Sequence, residues 1–258
     1  DLMSYLTGYG IDEAEPFRYA LFVGSFLCFI AMLPLLGVHT TTSRNRAQER
    51  EDPVPFPLRT FVAFGITSAC RGASMGFSFP FFNVFFQQAL GLSTPMIGLV
   101  FFLSQVVAVP SIVLAPAIAR KLGAIKTIVP ARIFGSLALV CLGLTDHLGL
   151  GMLLFLISAI VEAITTPTEM TYATQIIPSR YWARMQSLRV TGFQIPAGLA
   201  SLIAGFIIVD YGYWATFAIA GSARLTSALV LLVVFAGKEL EKAQGYNVGP
   251  DTQGSQSG

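Results

Sequence analysis

Charge is scarce in this chain. Asp, Glu, Lys and Arg make up 12% of its 258 residues, against the roughly 25% typical of a soluble domain, which argues against a surface bathed mainly in water. Cysteine is sparse as well. Cys28, Cys70 and Cys141 fall within apolar runs and lack metal-ligand spacing, so they read as buried free thiols with neither a disulfide nor a metal role. The two histidines, His39 and His147, stand at the ends of apolar runs and read as solvated. No HExxH or paired-aspartate pattern lies on those runs, and the chain is not expected to be an enzyme or to carry a cofactor or metal. A net charge of +2 gives no case for nucleic acid as a partner.

Apolar residues fill the space that charge leaves. Hydrophobic residues are 54% of the chain and the mean hydropathy is +0.67. Runs near the roughly 20 residues needed to cross a bilayer core occupy 17–38, 61–86, 97–119, 127–144, 148–177, 188–209 and 213–235. The reading is an all-α integral membrane protein of about seven transmembrane helices, with the lipid bilayer as its first partner.

The few basic residues are placed unevenly. Arg44, Arg46, Arg50 and Arg59 follow the first run, Arg120, Lys121 and Lys126 the third, Arg180 and Arg184 the fifth, and Lys238 and Lys242 the seventh. The alternate loops 87–95, 145–148 and 210–212 hold no Lys or Arg. The positive-inside rule then predicts a multi-pass protein of the plasma or inner membrane with its first residue outside and its last in the cytoplasm. Arg18, at the outer end of the first run, is the one exception. The first run lacks the basic flank of a signal peptide, and an outside start before an odd number of spans suggests a fragment of a longer protein.

Pro53, Pro55 and Pro57 in a polar stretch favour a stiff, extended connection over helix. The predicted organisation is an outer segment and helix over 1–38, a cytoplasmic linker over 39–57, a six-helix bundle over 58–243 and a disordered cytoplasmic tail over 244–258. Pro80, Pro110, Pro116, Pro130, Pro167 and Pro196 lie in or near the apolar runs and read as fixed packing kinks, with a moving hinge as the alternative.

Polar residues recur at helical spacing on three runs. The second carries Thr67, Arg71, Ser74 and Ser78, the fifth Ser158, Glu162, Thr165, Glu169 and Tyr172, and the sixth Thr191, Gln194, Gly198, Ser201 and Gly205. Gln105 adds a polar group on the third. A helix facing only lipid has no use for such a face, so these helices are expected to surround a polar cavity. At about 1.5 Å per residue, Arg71, Gln105, Glu162, Gln194 and Arg224 all fall near the midplane. Charges there are costly, by about 2.5 to 3.5 kcal/mol on insertion scales, and usually face an interior cavity. Gly72 and Gly76 form a small-x-x-x-small pair that permits close helix contact. Phe77, Phe79, Phe81, Phe82, Phe85 and Phe86 read mainly as packing, with one or two free to line an apolar pocket.

The segment PMIGLVFFLSQVVAVPSIVLAPAIARKLGAIKTIV, from Pro95 to Val129, resembles the eighth helix and following loop of the major facilitator superfamily. The run IIPSRYWARMQSLRVTGFQIPAGLASLIAGFIIVDYGYWATFAIAG, from Ile176 to Gly221, is similar to that family's region from the tenth-to-eleventh loop into its twelfth helix. The resemblance implies the second half of a twelve-helix transporter, with the preceding helix and central loop, and a missing N-terminal bundle as partner. In the family's loop motif Pro116 stands at the first Gly, Arg120 at the acid, Lys121 at the base, Gly123 at the second Gly and Lys126 among the later bases. Without the acid, these bases are expected to anchor the helix to anionic headgroups rather than form the family's ion-pair latch.

The implied activity is secondary active transport of a small organic solute by alternating access, in a drug-efflux-like member with a proton as the candidate coupling ion. The expected substrate and proton pathway is Arg71, Ser74, Ser78, Gln105, Glu162, Glu169 and Gln194, and the expected cytoplasmic loop and gate are Arg120, Lys121, Gly123, Lys126 and Arg184. Arg71 could hold an anionic group or tune a nearby acid. Glu162 could bind a cation or carry a proton. A buried ion pair without transport function is the competing reading of both. Glu169 could relay a proton or close a gate with Arg184 or Arg189, while Arg224 is expected in a structural pair. The alternatives are a seven-helix receptor, against which stand the lack of an interior lysine on the last run and of outer-loop cysteines, or a half-size transporter assembling as an oligomer. A channel would want a carbonyl-lined filter loop, and no such loop is evident.

Overall fold

The computed structural model describes residues 22–26, 29–30 and 56–246, with side chains described as far as residue 236. The chain divides into two units, Asp1–Phe56 and Pro57–Gly258. Of the first, only the short helical pieces 22–26 and 29–30 and the last residue, Phe56, are described. The expectations for the packing of the first run, for the linker over 39–55 and for the tail beyond 246 lie outside the described residues.

The second unit is helical throughout its described length. In order it forms α1 (Leu58–Ser78), a 3₁₀ turn (Phe79–Phe81), α2 (Phe82–Gln88), α3 (Thr94–Leu122), α4 (Ala124–Leu144), α5 (Leu148–Ile176), a second 3₁₀ turn (Ser179–Tyr181), α6 (Trp182–Tyr211) and α7 (Tyr213–Tyr246). The run 61–86, expected as one span, is broken in its last third. The Phe79 N–H closes α1 on the Met75 carbonyl, and Pro80 has no N–H to carry the ladder on, so the chain tightens before α2 begins. The other span prolines, Pro110, Pro116, Pro130, Pro167 and Pro196, sit inside unbroken helices.

Two junctions are a single residue long. Gly123, at φ +94°, gives its N–H to the Ala119 carbonyl, and α4 starts at the next residue. Gly212, at φ +78°, does the same between α6 and α7. A side chain would be strained in that backbone region, so these reversals are as short as glycine allows. α6 starts at Trp182 rather than at the expected 188, because its first turns carry Arg184, Gln186 and Ser187 and are largely exposed, with Met185 buried among them.

The packing has an internal two-fold pattern. α1 lies on α6 and α7, α5 lies on α3 and α4, and α4 and α7 lie on each other. Exchanging α1 with α5, α3 with α6 and α4 with α7 returns the same contacts. Because consecutive spans alternate in direction, α1 and α5 run oppositely, so the bundle is a pair of inverted three-helix units.

Along the bundle axis the interior is layered. Near the end where α1 and α4 start, Phe61, Phe64, Ile128, Tyr172, Leu231 and Phe235 form one apolar core. Near the opposite end, Phe82, Phe85, Phe86, Leu139, Phe155 and Phe217 form a second, with Phe82 and Phe85 ring centroids 5.5 Å and 5.1 Å from that of Phe217. The packing role expected for these phenylalanines is met, while Phe79 is half exposed. Between the two cores lie Arg71, Arg132, Glu162, Glu169, Arg189 and Arg224.

The exterior is the reverse. Val113, Phe206 and Val233 are 72%, 69% and 76% exposed, as are many apolar neighbours, a surface that only hydrocarbon would match. α3, α4, α5, α6 and α7 are long and apolar enough to cross a membrane. α1 falls short in mean hydropathy because its inner face is Thr67, Ser68, Arg71, Ser74 and Ser78, most of it buried. Cys70 and Cys141 are free thiols. Cys141, expected to be buried, lies on the exposed face of α4.

Gly72 and Gly76 make the α1–α6 contact possible. A Cβ on Gly72 would stand 2.0 Å from the Phe193 carbonyl oxygen and one on Gly76 2.2 Å from that of Ala197, and the Ser201 hydroxyl donates to the Gly76 carbonyl at 3.1 Å. We predict that Gly72→Ala forces the two backbones apart and lowers the thermal unfolding midpoint of the purified protein in detergent. Gly98→Ala, with nothing within 4 Å of the added carbon, serves as the control and leaves the midpoint unchanged or higher. Equal midpoints for the two variants would contradict the close contact.

Candidate functional site

The charged layer is built chiefly from one face of α5. Ser158, Glu162, Thr166 and Glu169 recur at three- and four-residue spacing, which stacks them along that face. Arg71, near the middle of the α1–α2 span, donates to Glu162 Oε1 and, at 2.7 Å, to the Thr166 hydroxyl. The Thr166 hydroxyl in turn donates to Glu162 Oε1 at 2.9 Å. Arg71 Nη1 is also 3.6 Å from Glu169 Oε2.

Two further arginines reach in from α4 and α7. Arg132 donates to Glu169 Oε2 and, at 2.7 Å, to the Ser227 hydroxyl. Arg224 donates to the Ser158 hydroxyl at 2.9 Å and lies 3.7 Å from Glu162 Oε2. These arginines stand on α4 and α7, which exchange under the two-fold pattern, and each holds one glutamate and one serine, with both glutamates on α5. Arg189 of α6 completes the group with a 3.4 Å contact to Glu169 Oε1.

Removing such charges from water costs several kcal/mol each unless they are paired and their remaining donors satisfied. Glu169, fully buried, lies within salt-bridge distance of Arg71, Arg132 and Arg189. Glu162, 27% exposed, serves Arg71 and Arg224. Four guanidiniums therefore share two carboxylates. Arg71 Nε and Arg189 Nε are buried without a hydrogen-bond partner.

Two cavities of similar size flank the Arg71–Glu162 pair. One, of about 270 Å³, lies between α1, α3 and α5 toward the end where α3 and α5 start, lined by Phe79, Phe101, Gln105, Ser158, Glu162 and Arg224 among others. The second, of about 260 Å³, lies between α1, α5 and α6 toward the opposite end, and its polar wall is Ser68, Arg71, Thr166, Gln186, Arg189 and Gln194. A third, of about 450 Å³, opens where α3, α4 and α5 meet and is lined by Pro116, Arg120, Gly123, Pro167 and Tyr172 among others.

The residues singled out in the sequence separate into groups. Arg71, Glu162 and Glu169 come together in the ion network, and Gln105 and Gln194 line the first and second cavities. Ser74 and Ser78 are buried. The Ser78 hydroxyl donates to the Ser74 carbonyl at 2.8 Å, while the Ser74 hydroxyl has no partner. Arg120, Lys121 and Lys126 are exposed, and Gly123 acts through its backbone. Of the two arginines considered for Glu169, Arg189 is the partner; Arg184 instead lies over the Tyr181 ring, 6.0 Å from its centroid. Arg132 was missed. It is 1% exposed in a span otherwise free of charge beyond its first turn, the same signal that drew attention to Arg71.

The family model for the Major Facilitator Superfamily matches the chain over residues 2–161 and over residues 64–250. The second match takes in the whole charged layer. No curated protein and no solved structure matches the chain.

The uneven charge count predicts unequal responses to neutralisation. Glu169→Gln leaves Arg132 buried without its counter-charge and should cost roughly 3 to 5 kcal/mol, as for a broken buried pair. Arg189→Gln removes one of the surplus cations and leaves Glu169 with Arg132 and Arg71, so its cost should be far smaller. Chemical unfolding of the two variants in mixed micelles measures both, and a greater loss for Arg189→Gln would overturn the charge balance.

Proposed function

The chain belongs to the major facilitator superfamily, a family of membrane solute transporters, and on that premise we propose that it moves a small organic solute by alternating access, with the Arg71–Glu162 pair as the closure between its two cavities. One observation carries the reading: the pair stands at mid-span, with Arg71 lining one cavity and Glu162 the other. Each cavity lies toward a different end of the bundle. Access from one end at a time requires a barrier that can be undone, and an ion pair meets that need when a solute group or a proton can take the place of one partner.

The proton, in this reading, arrives at Glu162. Its carboxylate is the more accessible of the two, 27% exposed against 0% for Glu169. A proton on Glu162 cancels the charge that holds Arg71 and Arg224, which loosens α5 from α1 and α7 together. Glu169, sealed among Arg71, Arg132 and Arg189, stays as the fixed anchor of the layer. Efflux is the direction we favour, in line with the drug-efflux-like character of the sequence.

The distribution of basic residues supports a cytoplasmic location for the end carrying Arg59, Arg120, Lys121, Lys126, Arg180 and Arg184. The 58–243 bundle is then the C-terminal half of a plasma or inner membrane transporter, paired with an N-terminal bundle of the same chain.

Single cysteines at Gln105 and Gln194, in the full transporter cleared of native thiols, test both orientation and closure. With the pair intact, Gln105→Cys should react with an impermeant maleimide from outside intact cells, and Gln194→Cys only after permeabilisation. Adding Glu162→Gln should expose Gln194→Cys from outside as well. Labelling of both positions from one side in the unaltered pair would sink the proposal. Arg71→Ala and Glu162→Gln should each also reduce solute transport strongly while leaving membrane-inserted protein; wild-type rates in both would remove the pair from the mechanism.

A further inference from the structure

We propose that the cavity between α1, α5 and α6 binds an anionic group, a carboxylate or phosphate-type oxyanion, through Arg71 and Arg189. The inference deepens the transport reading above and rests on it for the identity of the ligand as transported solute.

The lining of this cavity contains two arginines and no acidic residue: it is Ser68, Arg71, Thr166, Met170, Gln186, Arg189, Val190, Phe193 and Gln194. The cavity on the other side of the pair is chemically different, because Glu162 and Arg224 both line it and offset one another. The surplus of positive charge in the layer therefore has one cavity where no carboxylate on the wall opposes it.

The two arginines are unequally occupied. Arg71 is engaged by Glu162 and Thr166, but its Nε is buried without a partner. Arg189 makes a single described hydrogen bond, at 3.4 Å to Glu169, and its Nε too is buried and unpartnered. Both side chains are at least nine-tenths buried, at 10% and 9% exposure. A guanidinium held so far from water with its donors largely unspent carries a desolvation cost that an oxyanion would offset, since its planar fork matches carboxylate and phosphate oxygens in pairs.

The remaining wall suits the rest of a small organic anion. Hydroxyl and amide groups come from Ser68, Thr166, Gln186 and Gln194, and apolar surface from Met170, Val190 and Phe193. Arg71 lies 5.8 Å from the Phe193 ring centroid, so the aromatic face and the charge stand side by side, as an aryl or alkyl carboxylate requires. A volume of about 260 Å³ lies just under the range of drug-sized sites, which favours a small solute or the head group of a larger one.

The test is a thermal-shift titration of the purified full chain in detergent with benzoate, benzamide and benzylamine, matched in shape and differing in charge, beside phenylphosphate and inorganic phosphate at constant ionic strength. Benzoate or phenylphosphate should stabilise the protein saturably and bind at least about tenfold more tightly than benzamide, a difference of about 1.4 kcal/mol, and benzylamine should not bind. Arg189→Gln should abolish the preference and Arg189→Lys restore part of it, while Gly98→Ala, on α3 away from this cavity with nothing within 4 Å of the added carbon, should retain it. Stabilisation by inorganic phosphate equal to that by phenylphosphate would assign the oxyanion site to a free ion; a clear organic advantage assigns it to the solute. Equal affinity for benzoate and benzamide, or a preference untouched by Arg189→Gln, would overturn the inference. Because binding in detergent needs no translocation, that failure beside an intact pattern of two-sided cysteine labelling would reject the anion site alone.

Discussion

Glu169 is the constraint from which the rest of the bundle follows. A carboxylate with no exposure to solvent must be met by counter-charge from whatever surrounds it, and here that draws in Arg71 from α1, Arg132 from α4 and Arg189 from α6. Those contacts bring helices far apart in sequence to one level. Glu162, near the middle of α5, repeats the arrangement with Arg71 and Arg224, so every spanning helix except α3 gives a charge to this layer. The two aromatic and aliphatic cores above and below it supply ordinary packing, while the ion network sets the register of the helices along the axis.

Such a layer can exist only inside an apolar shell. With hydrocarbon outside, there is little hydrophobic gain in bringing one helix to another, so association depends on close backbone approach and on polar groups that have no better partner in lipid. Gly72 and Gly76 provide the first between α1 and α6. The arginine–glutamate–serine contacts provide the second between α4, α5 and α7. The same division explains why α1, the least apolar span, is among the most thoroughly packed.

Much of this was legible in the sequence because membrane helices advertise themselves by length and by the cost of charge. The spans from residue 58 on, the Arg71–Glu162 pairing and the glycine contact follow from that alone, and the family resemblance agrees with the family match. What escaped did so for physical reasons. Hydropathy places the start of α6 too late, since Arg184, Gln186 and Ser187 make its first turns polar although the helix already begins at Trp182. Arg132 was passed over because it lies near the basic end of its span, although its guanidinium is buried against Glu169 and Ser227. The stripe on the sixth run was read as a single face, yet Gln194 and Gly198 are exposed while Ala200 and Ala204 are buried: α6 packs on α1 through its small residues and turns its amides to a cavity.

The two-fold pattern gives these details their meaning. Exchanging the three-helix units carries the cavity between α1, α3 and α5 onto the one between α5, α6 and α1, and the volumes, about 270 and 260 Å³, are nearly equal. Arg132 and Arg224 stand on exchanged helices, and each holds a glutamate and a serine, but both glutamates belong to α5, so their partners are not themselves exchanged. The walls of the two cavities differ as well. α3 contributes Phe101, Ser104 and Gln105 to one, whereas α6 contributes Gln186, Arg189 and Gln194 to the other, and the exchange of α1 with α5 sets a cation opposite an anion at mid-span. A bundle symmetric in chemistry as well as in backbone would offer a solute the same welcome at both ends. On the proposed reading, the asymmetry that lets one cavity bind and the other release is a matter of a few side chains, Arg189 foremost, placed on a backbone that is itself nearly indifferent to direction.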